Sequence, residues 1–138
     1  MRKAHYTALV LCPLLFFSSC KKFIEDQQMA LFISVLTSGQ WHVENYIQGT
    51  VPITSEFEGY NFQFYKNGTV QSIYQSDTLT GSWVGDIQNY TIFSDFPSAQ
   101  DPLKKLNGTW KITRKSTDYV EAEMKTVQEK MILHLRKN

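Results

Sequence analysis

The sequence predicts an all-β protein: an eight-stranded up-and-down antiparallel barrel preceded by one N-terminal helix. From Gly39 onward, apolar and polar residues alternate with a period of two in eight short segments. Before Gly39 the apolar residues recur at three- and four-residue spacing, which is typical of a helix. Closing the eight strands into one barrel buries their apolar faces together and leaves no exposed sheet edge.

Each of the eight segments has one apolar and one polar face. This one-sided pattern is typical of antiparallel strands with a buried side and a hydrated side. We therefore expect each strand to contribute one row of side chains to a common interior. The apolar positions are Trp41-Val43, Tyr60-Phe62-Phe64, Val70-Ser72-Tyr74, Leu79-Gly81-Trp83, Tyr90-Ile92, Trp110-Ile112, Val120-Ala122-Met124 and Met131-Leu133-Leu135.

The connections predict one closed end and one open end. Turns at the first end are short, and Asn67-Gly68 is a strong hairpin signal. At the other end the loops over residues 48–56 and 94–107 are longer and contain proline, and residues 102–106 are predicted to form one helical turn across the mouth. Long loops on a rigid scaffold commonly carry binding, so we expect the functional site at the open end.

Residues 1–19 are predicted to be a lipoprotein signal peptide, because a basic start precedes an apolar run and the small residues Ser18-Ser19 before Cys20. The run is shorter than the roughly 20 residues that cross a bilayer, and Pro13 interrupts it. Cleavage would make Cys20 the first mature residue and its lipidation site, carrying acyl chains such as palmitate. More than one chain gives stable anchoring. An ordinary secreted protein is the alternative.

The mature chain then divides into an anchor and helix over residues 20–38 and a barrel over 39–138. The helix is expected over residues 22–36. Two interpretations are open: a helix packed on the barrel, or a segment lying on the membrane. We favour packing, because Glu25 and Asp26 put negative charge where a membrane-surface helix is usually basic.

Composition excludes several functions. The net charge is +1 and basic residues form no stripe, so nucleic acid is not expected as a partner. Cys12 lies in the signal peptide and Cys20 would be lipidated, which removes disulfides and thiol chemistry from the domain. His42 and His134 lack a third ligand for a metal. We expect no enzyme, no metal and no cofactor.

The chain contains three short motifs: Gly39-x-Trp41, Thr117-Asp118-Tyr119 and Arg136. They resemble the three signature regions of lipocalins and occur in the same order. Together with the lipidation motif and the stretch over residues 102–110, they make the chain similar to lipocalin-like lipoproteins of the Bacteroidota. The resemblance implies that an arginine covers an indole through a cation–π contact, although simple alternation points that arginine outward.

The resemblance further implies that the barrel binds a small hydrophobic or amphipathic ligand. Alternation places six aromatic and thioether side chains inward near the open end: Tyr60, Tyr74, Trp83, Trp110, Met124 and Met131.

The alternative is a barrel filled by side chains that acts as a protein-interaction or inhibitor module toward an envelope protein, with Phe57, Phe93 and Phe96 as anchors. In either case we expect an outer-membrane lipoprotein of the cell envelope. Lys21 and Lys22 after Cys20 differ from an acidic surface-export signal, which favours the periplasmic face. The mouth of the barrel should point away from the membrane.

Overall fold

The structure, a computed structural model, describes residues 17–138. Residues 1–16, most of the predicted signal peptide, lie outside the described residues. Two 3-10 helices are present, at Thr54–Phe57 and Leu103–Leu106. The helix and the strands are α1 (Phe17–Thr37), β1 (Trp41–Gln48), β2 (Val51–Pro52), β3 (Tyr60–Phe64), β4 (Thr69–Tyr74), β5 (Asp77–Asp86), β6 (Thr91–Asp95), β7 (Gly108–Lys115), β8 (Tyr119–Lys125) and β9 (Lys130–Lys137).

Strands β1 and β3 to β9 form a closed antiparallel up-and-down barrel, which confirms the predicted fold. Sequential strands are neighbours, and β9 returns to pair with β1 over seven residue pairs. The two-residue β2 was not predicted, because it is too short to show alternation. Tyr90 was wrongly assigned to a strand: it lies in the turn before β6 with φ +53° and is exposed.

The wall between β1 and β3 is completed by the first 3-10 helix. These strands pair at Trp41 and Phe62. Further along β1, the backbone of Tyr46 accepts a hydrogen bond from Ile53 N, and its N–H donates to Thr54 Oγ1, both at 2.9 Å. The segment after β2 thus supplies β1 with the hydrogen-bond partners that a longer β3 would otherwise provide.

The C-terminal end of α1 is held against the barrel by Trp41 and Lys137. The Trp41 indole is fully buried, and its Nε1 donates to the Leu36 carbonyl at 2.9 Å. Lys137 Nζ donates to the Val35 carbonyl at 2.9 Å and to Ser38 Oγ at 3.0 Å, and lies 4.9 Å from the centre of the Trp41 ring. A cation at this position satisfies a terminal carbonyl and complements the helix dipole.

Phe32 of α1 seals the same end of the barrel. Its side chain is buried and lies close to Gly85, where an added Cβ would come within 2.9 Å of Phe32 Cε1 and 3.3 Å of the Trp83 ring. Glycine at position 85 therefore lets the helix approach the wall. We call this end, which also carries the chain's C-terminus, the helix end; it is the end that was predicted to be closed.

The opposite end, predicted to be an open mouth, is also closed. Its two long loops, residues 49–59 and 96–107, turn apolar side chains inward and include both 3-10 helices. The second of these confirms the helical turn predicted over residues 102–106. We call this the loop end. The residues that cover it are all buried: Ile53, Phe57, Phe96, Leu103 and Leu106.

Lys137→Met should lower the free energy of unfolding by about 1–2 kcal/mol, because it keeps the stem but removes the ammonium that binds the end of α1. Lys130→Met is the matched control: it breaks an exposed ion pair with Glu123 and should cost less than about 1 kcal/mol. Urea denaturation of both variants measures the difference. Equal losses would contradict the role of Lys137.

Candidate functional site

The barrel interior holds one small cavity of about 40 Å³. Small-molecule pockets usually measure about 300–1,000 Å³, whereas one water needs about 10–15 Å³. The cavity therefore has room for a few water molecules. Ser94 is the polar residue of its wall, and its hydroxyl donates to the Leu106 carbonyl. The wall consists of Phe62, Phe64, Val70, Ile92, Ser94, Phe96, Leu106, Trp110, Val120, Ala122, Leu133 and Leu135.

Aromatic rings fill the space on either side of the cavity. Toward the loop end, the Tyr46 ring stacks on Phe57 at 5.2 Å and meets Trp110 edge-on at 5.8 Å. Toward the helix end, Phe64 meets Trp83 edge-on at 5.6 Å. Edge-on and offset contacts of this kind stabilise aromatic clusters beyond simple burial. The interior is a packed core.

Of the six residues predicted to line a ligand pocket, Trp110 lines the cavity. Trp83 is buried at the helix end, not near the loop end as predicted, and its indole donates to the Tyr65 carbonyl at 2.9 Å. The error follows from the direction of β5, which carries the chain away from the loop end. By residue 83 the strand has crossed most of the barrel.

The other four predicted residues gather at the rim of the loop end. Tyr60 and Tyr74 stack at 4.6 Å, and Tyr74 is exposed. Met131 is buried, and Met124 is half-buried, with its sulfur so close to Gly108 that a Cβ there would lie 2.6 Å away. The structure therefore does not join the six into one lining.

Alternation predicted that nine of the twelve wall residues face the interior, but Trp110 alone among them was assigned to the ligand site. Phe62 and Leu133, for example, were predicted to point inward from the middle of their strands, and Val70 from the start of β4. Phe96 and Leu106 lie in the long loop, where no periodicity assigns a direction. Their positions follow from the fold of that loop.

The loops at the loop end are fastened by a set of hydrogen bonds. Tyr46 Oη donates to the Lys105 carbonyl and Trp110 Nε1 to the Leu106 carbonyl, each at 2.9 Å. Asn107 acts as a clamp, because its Oδ1 accepts from Phe96 N at 2.7 Å while its Nδ2 donates to Phe96 O at 3.3 Å. Opening this end requires all of these contacts to break.

Two features strengthen that closure. Lys105 Nζ lies 2.6 Å from Glu56 Oε2, so an ion pair joins the two loops. The pKa of Tyr46 is raised, first because burial disfavours the phenolate and then because of the nearby carboxylates of Glu129, Asp101 and Glu56. The Tyr46 hydroxyl stays protonated and keeps its bond to the loop.

The three signature regions meet at the helix end, with a different cation on the indole from the one that the resemblance implied. Arg136 stacks 4.5 Å from the centre of the Tyr119 ring and pairs with Glu44 and Asp118 at 3.1 and 3.4 Å. Its neighbour Lys137 covers Trp41. Side chains alternate in direction along β9, so Arg136 points outward and cannot cover the indole, whereas the next residue, Lys137, can.

The remaining signature residues are near these contacts. Gly39 has φ +82°, and a Cβ there would lie 3.5 Å from the Lys137 side chain. Thr117 is exposed in the turn before β8. The hydrogen bond from Ser116 and then the charge of Arg136 lower the pKa of Asp118. The residues of the three signature regions therefore connect the turn between β7 and β8 to the last strand.

The two histidines do not form a joint site. His42 pairs with Arg136 and His134 with Asn45 across the β1–β9 seam. His42 Nδ1 is 2.6 Å from Asn138 Oδ1, and His134 Nε2 is 3.7 Å from Glu121. Within residues 17–138, no three potential metal-ligating side chains cluster.

The aromatic residues considered as interface anchors separate into two groups. Phe57 and Phe96 are buried beneath the loops, whereas Phe93 is exposed on β6. Phe93 lies opposite Val84 of β5, which is also exposed. These two form an apolar pair on the outer wall of the barrel.

No protein-family model matches the sequence, and no curated protein matches it significantly. Among solved structures, the chain is similar to a DUF4847 family protein from Bacteroides vulgatus, with a TM-score of 0.56. The two chains are 15% identical, and the similarity covers 78% of this chain and 97% of the other. At this identity the likeness shows a shared fold.

Tyr46→Phe should change how stability depends on pH. Folding raises the pKa of Tyr46, so its contribution is complete below the ordinary tyrosine value of 10.0 and falls as pH rises above it. The variant should lose about 1 kcal/mol at neutral pH with the hydroxyl bond, and this deficit should shrink by about pH 11. Urea denaturation across this range measures it. Tyr65→Phe, at an exposed tyrosine, is the control, and a constant Tyr46→Phe deficit would contradict the prediction.

Proposed function

We propose that this protein is a non-enzymatic lipoprotein of the cell envelope, tethered through Cys20 on the periplasmic face of the outer membrane. Its lipocalin-like barrel is a filled scaffold that acts through its surface on another envelope protein. The observation that carries this proposal is the interior cavity of about 40 Å³. A barrel with so little free volume inside leaves its exterior as the surface that another molecule can contact.

The exposed surface supports a role in protein contact. Val84 and Phe93 face each other across β5 and β6 on the outer wall and are both exposed. Exposed aromatic residues beside aliphatic ones often supply interface energy. Of the three anchors suggested by the sequence, Phe93 is the accessible one, so the wall of the barrel is a better contact surface than the tips of the loops.

The tether is supported by the position of Cys20. Its thiol is exposed near the beginning of α1, and nothing in the barrel covers it. No helix in residues 17–138 has both the length and the apolar character to span a bilayer.

Metabolic labelling with an alkyne-palmitate tests the tether. We expect label on the wild-type protein and loss of that label in Cys20→Ser, because the acyl chains of the proposed anchor are attached through Cys20. Cys12→Ser is the matched control and should keep its label, since Cys12 lies in the segment that processing removes. Label retained in Cys20→Ser would refute the proposed anchor.

Binding of a small hydrophobic ligand inside the barrel is the second proposal. It is favoured by the apolar wall of the cavity, whose hydroxyl at Ser94 is already bonded to Leu106. A ligand as long as a fatty acid would need to displace Phe96 and Leu106 together with the loop that the Asn107 clamp holds. The filled-scaffold proposal therefore ranks first.

Titration with palmitate, cholate or haem separates the two proposals. Trp110 lines the cavity, so a guest in the barrel must change the tryptophan fluorescence. We expect no change at micromolar ligand. A saturable shift that disappears in Trp110→Phe would establish ligand binding and overturn the filled scaffold. A shift that persists in Trp110→Phe would come from Trp41 or Trp83 and would indicate contact at the helix end.

A further inference from the structure

The helix α1 carries an apolar face that the barrel does not cover. This outward face carries Cys20, Phe23, Ile24 and Leu31, with the exposed Gln27 between Ile24 and Leu31. The exposed fractions of its three large side chains are 63% for Phe23, 54% for Ile24 and 68% for Leu31. Isolated exposed apolar residues are ordinary, but three on one side of a single helix form a patch.

Helical periodicity places these residues on the outer side of α1, where Leu31 also borders a groove between the helix and the turn over residues 115–117. Residues three and four positions apart share a face, which places Cys20, Phe23 and Ile24 together; Leu31 lies one turn beyond the polar Gln27 on the same side. Phe32 and Leu36 point the other way and are buried against the barrel. One side of α1 thus packs on the protein while the other faces outward.

We propose that the outward face of α1 docks on the lipid bilayer, so that the helix lies in the interface instead of hanging from a flexible tether. This inference rests on the proposed lipidation of Cys20. Acyl chains on Cys20 leave from the same face as Phe23 and Ile24, which brings these side chains to the membrane surface. From Cys20 to Leu31 the helix rises about 17 Å, roughly 1.5 Å per residue.

The charges around the helix agree with this orientation. Glu25 had argued against a membrane-surface helix, but it is half-buried and accepts a hydrogen bond from Gln88 of the barrel at 3.2 Å. Lys21 and Lys22 balance Glu25 and Asp26 in number. Docking is therefore driven by apolar contact and needs neither anionic lipid nor low salt.

Docking would fix the orientation of the whole protein. The helix end would lie on the membrane, because α1 is held there by Trp41 and Lys137. The loop end would point away from it. The outer wall with Val84 and Phe93 would then stand beside the bilayer surface, within reach of another envelope protein.

A tryptophan placed on the outward face tests the proposal. In the mature chain that begins at Cys20, this residue is the one cysteine, so a maleimide-linked lipid can be attached to its thiol. The lipidated protein is bound to phosphatidylcholine vesicles with brominated acyl chains, which quench nearby indoles. Leu31→Trp reports on the outward face, and Val127→Trp, at a fully exposed position on the loop end, is the matched control.

We expect bromine to quench Leu31→Trp roughly twofold more than Val127→Trp, equally at low and high salt, because an apolar helical face inserts at the boundary between headgroups and acyl chains. Adding Phe23→Ser and Ile24→Ser to Leu31→Trp should remove the excess. Equal quenching at both positions would overturn the proposal. So would self-association in sedimentation that is abolished by Leu31→Ser, since the face would then be covered by a second copy.

The lipid in this experiment is attached chemically, so its outcome is independent of acylation in cells. Failure of the docking therefore differs from failure of the proposed anchor, which the palmitate labelling of Cys20→Ser reveals. Leu31 and Val127 are both exposed, so neither substitution disturbs the core. Near-ultraviolet circular dichroism confirms that each variant is folded.

Discussion

The small volume enclosed by eight strands is the constraint on which the rest of this structure depends. Such a barrel has room for packed side chains or one small ligand, and large side chains decide between the two. Here Trp110, Phe62 and Phe96 reach the centre and leave a cavity of about 40 Å³. Close packing of this kind makes the barrel rigid, and it supports the proposal that the protein acts through its exterior.

Filling the barrel also required both ends to be closed. At the helix end Phe32 and Leu36 complete the core; at the loop end, apolar residues from the two long loops do so. Backbone N–H and C=O groups that are buried at the two ends without hydrogen-bond partners would destabilise the fold. Side chains therefore bond to the backbone at each end: Lys137 to the end of α1, and Asn107 to Phe96. The loops that usually carry binding on such a scaffold are here part of the core.

Contact between α1 and β9 links the proposed membrane tether to the barrel. Lys137 donates a hydrogen bond to the C-terminal end of α1 and covers Trp41, so the last strand is fastened to the end of the helix that enters the barrel. Motion of the helix is then transmitted to the strands directly. A surface presented by β5 and β6 would hold a defined direction relative to the membrane.

The sequence by itself determined the eight strands, their order and the helix, because period-two and helical spacing are local properties that each segment carries alone. It also placed Phe62 and Leu133 inside correctly. Tertiary structure decided that Trp83 lies at the helix end, that Phe96 and Leu106 enter the core, and that Lys137 instead of Arg136 covers Trp41. These outcomes depend on the direction of a strand, on the path of a loop and on the register between β1 and β9. Each of these brings together residues that are distant in sequence, so the spacing of apolar residues within one segment does not reveal them.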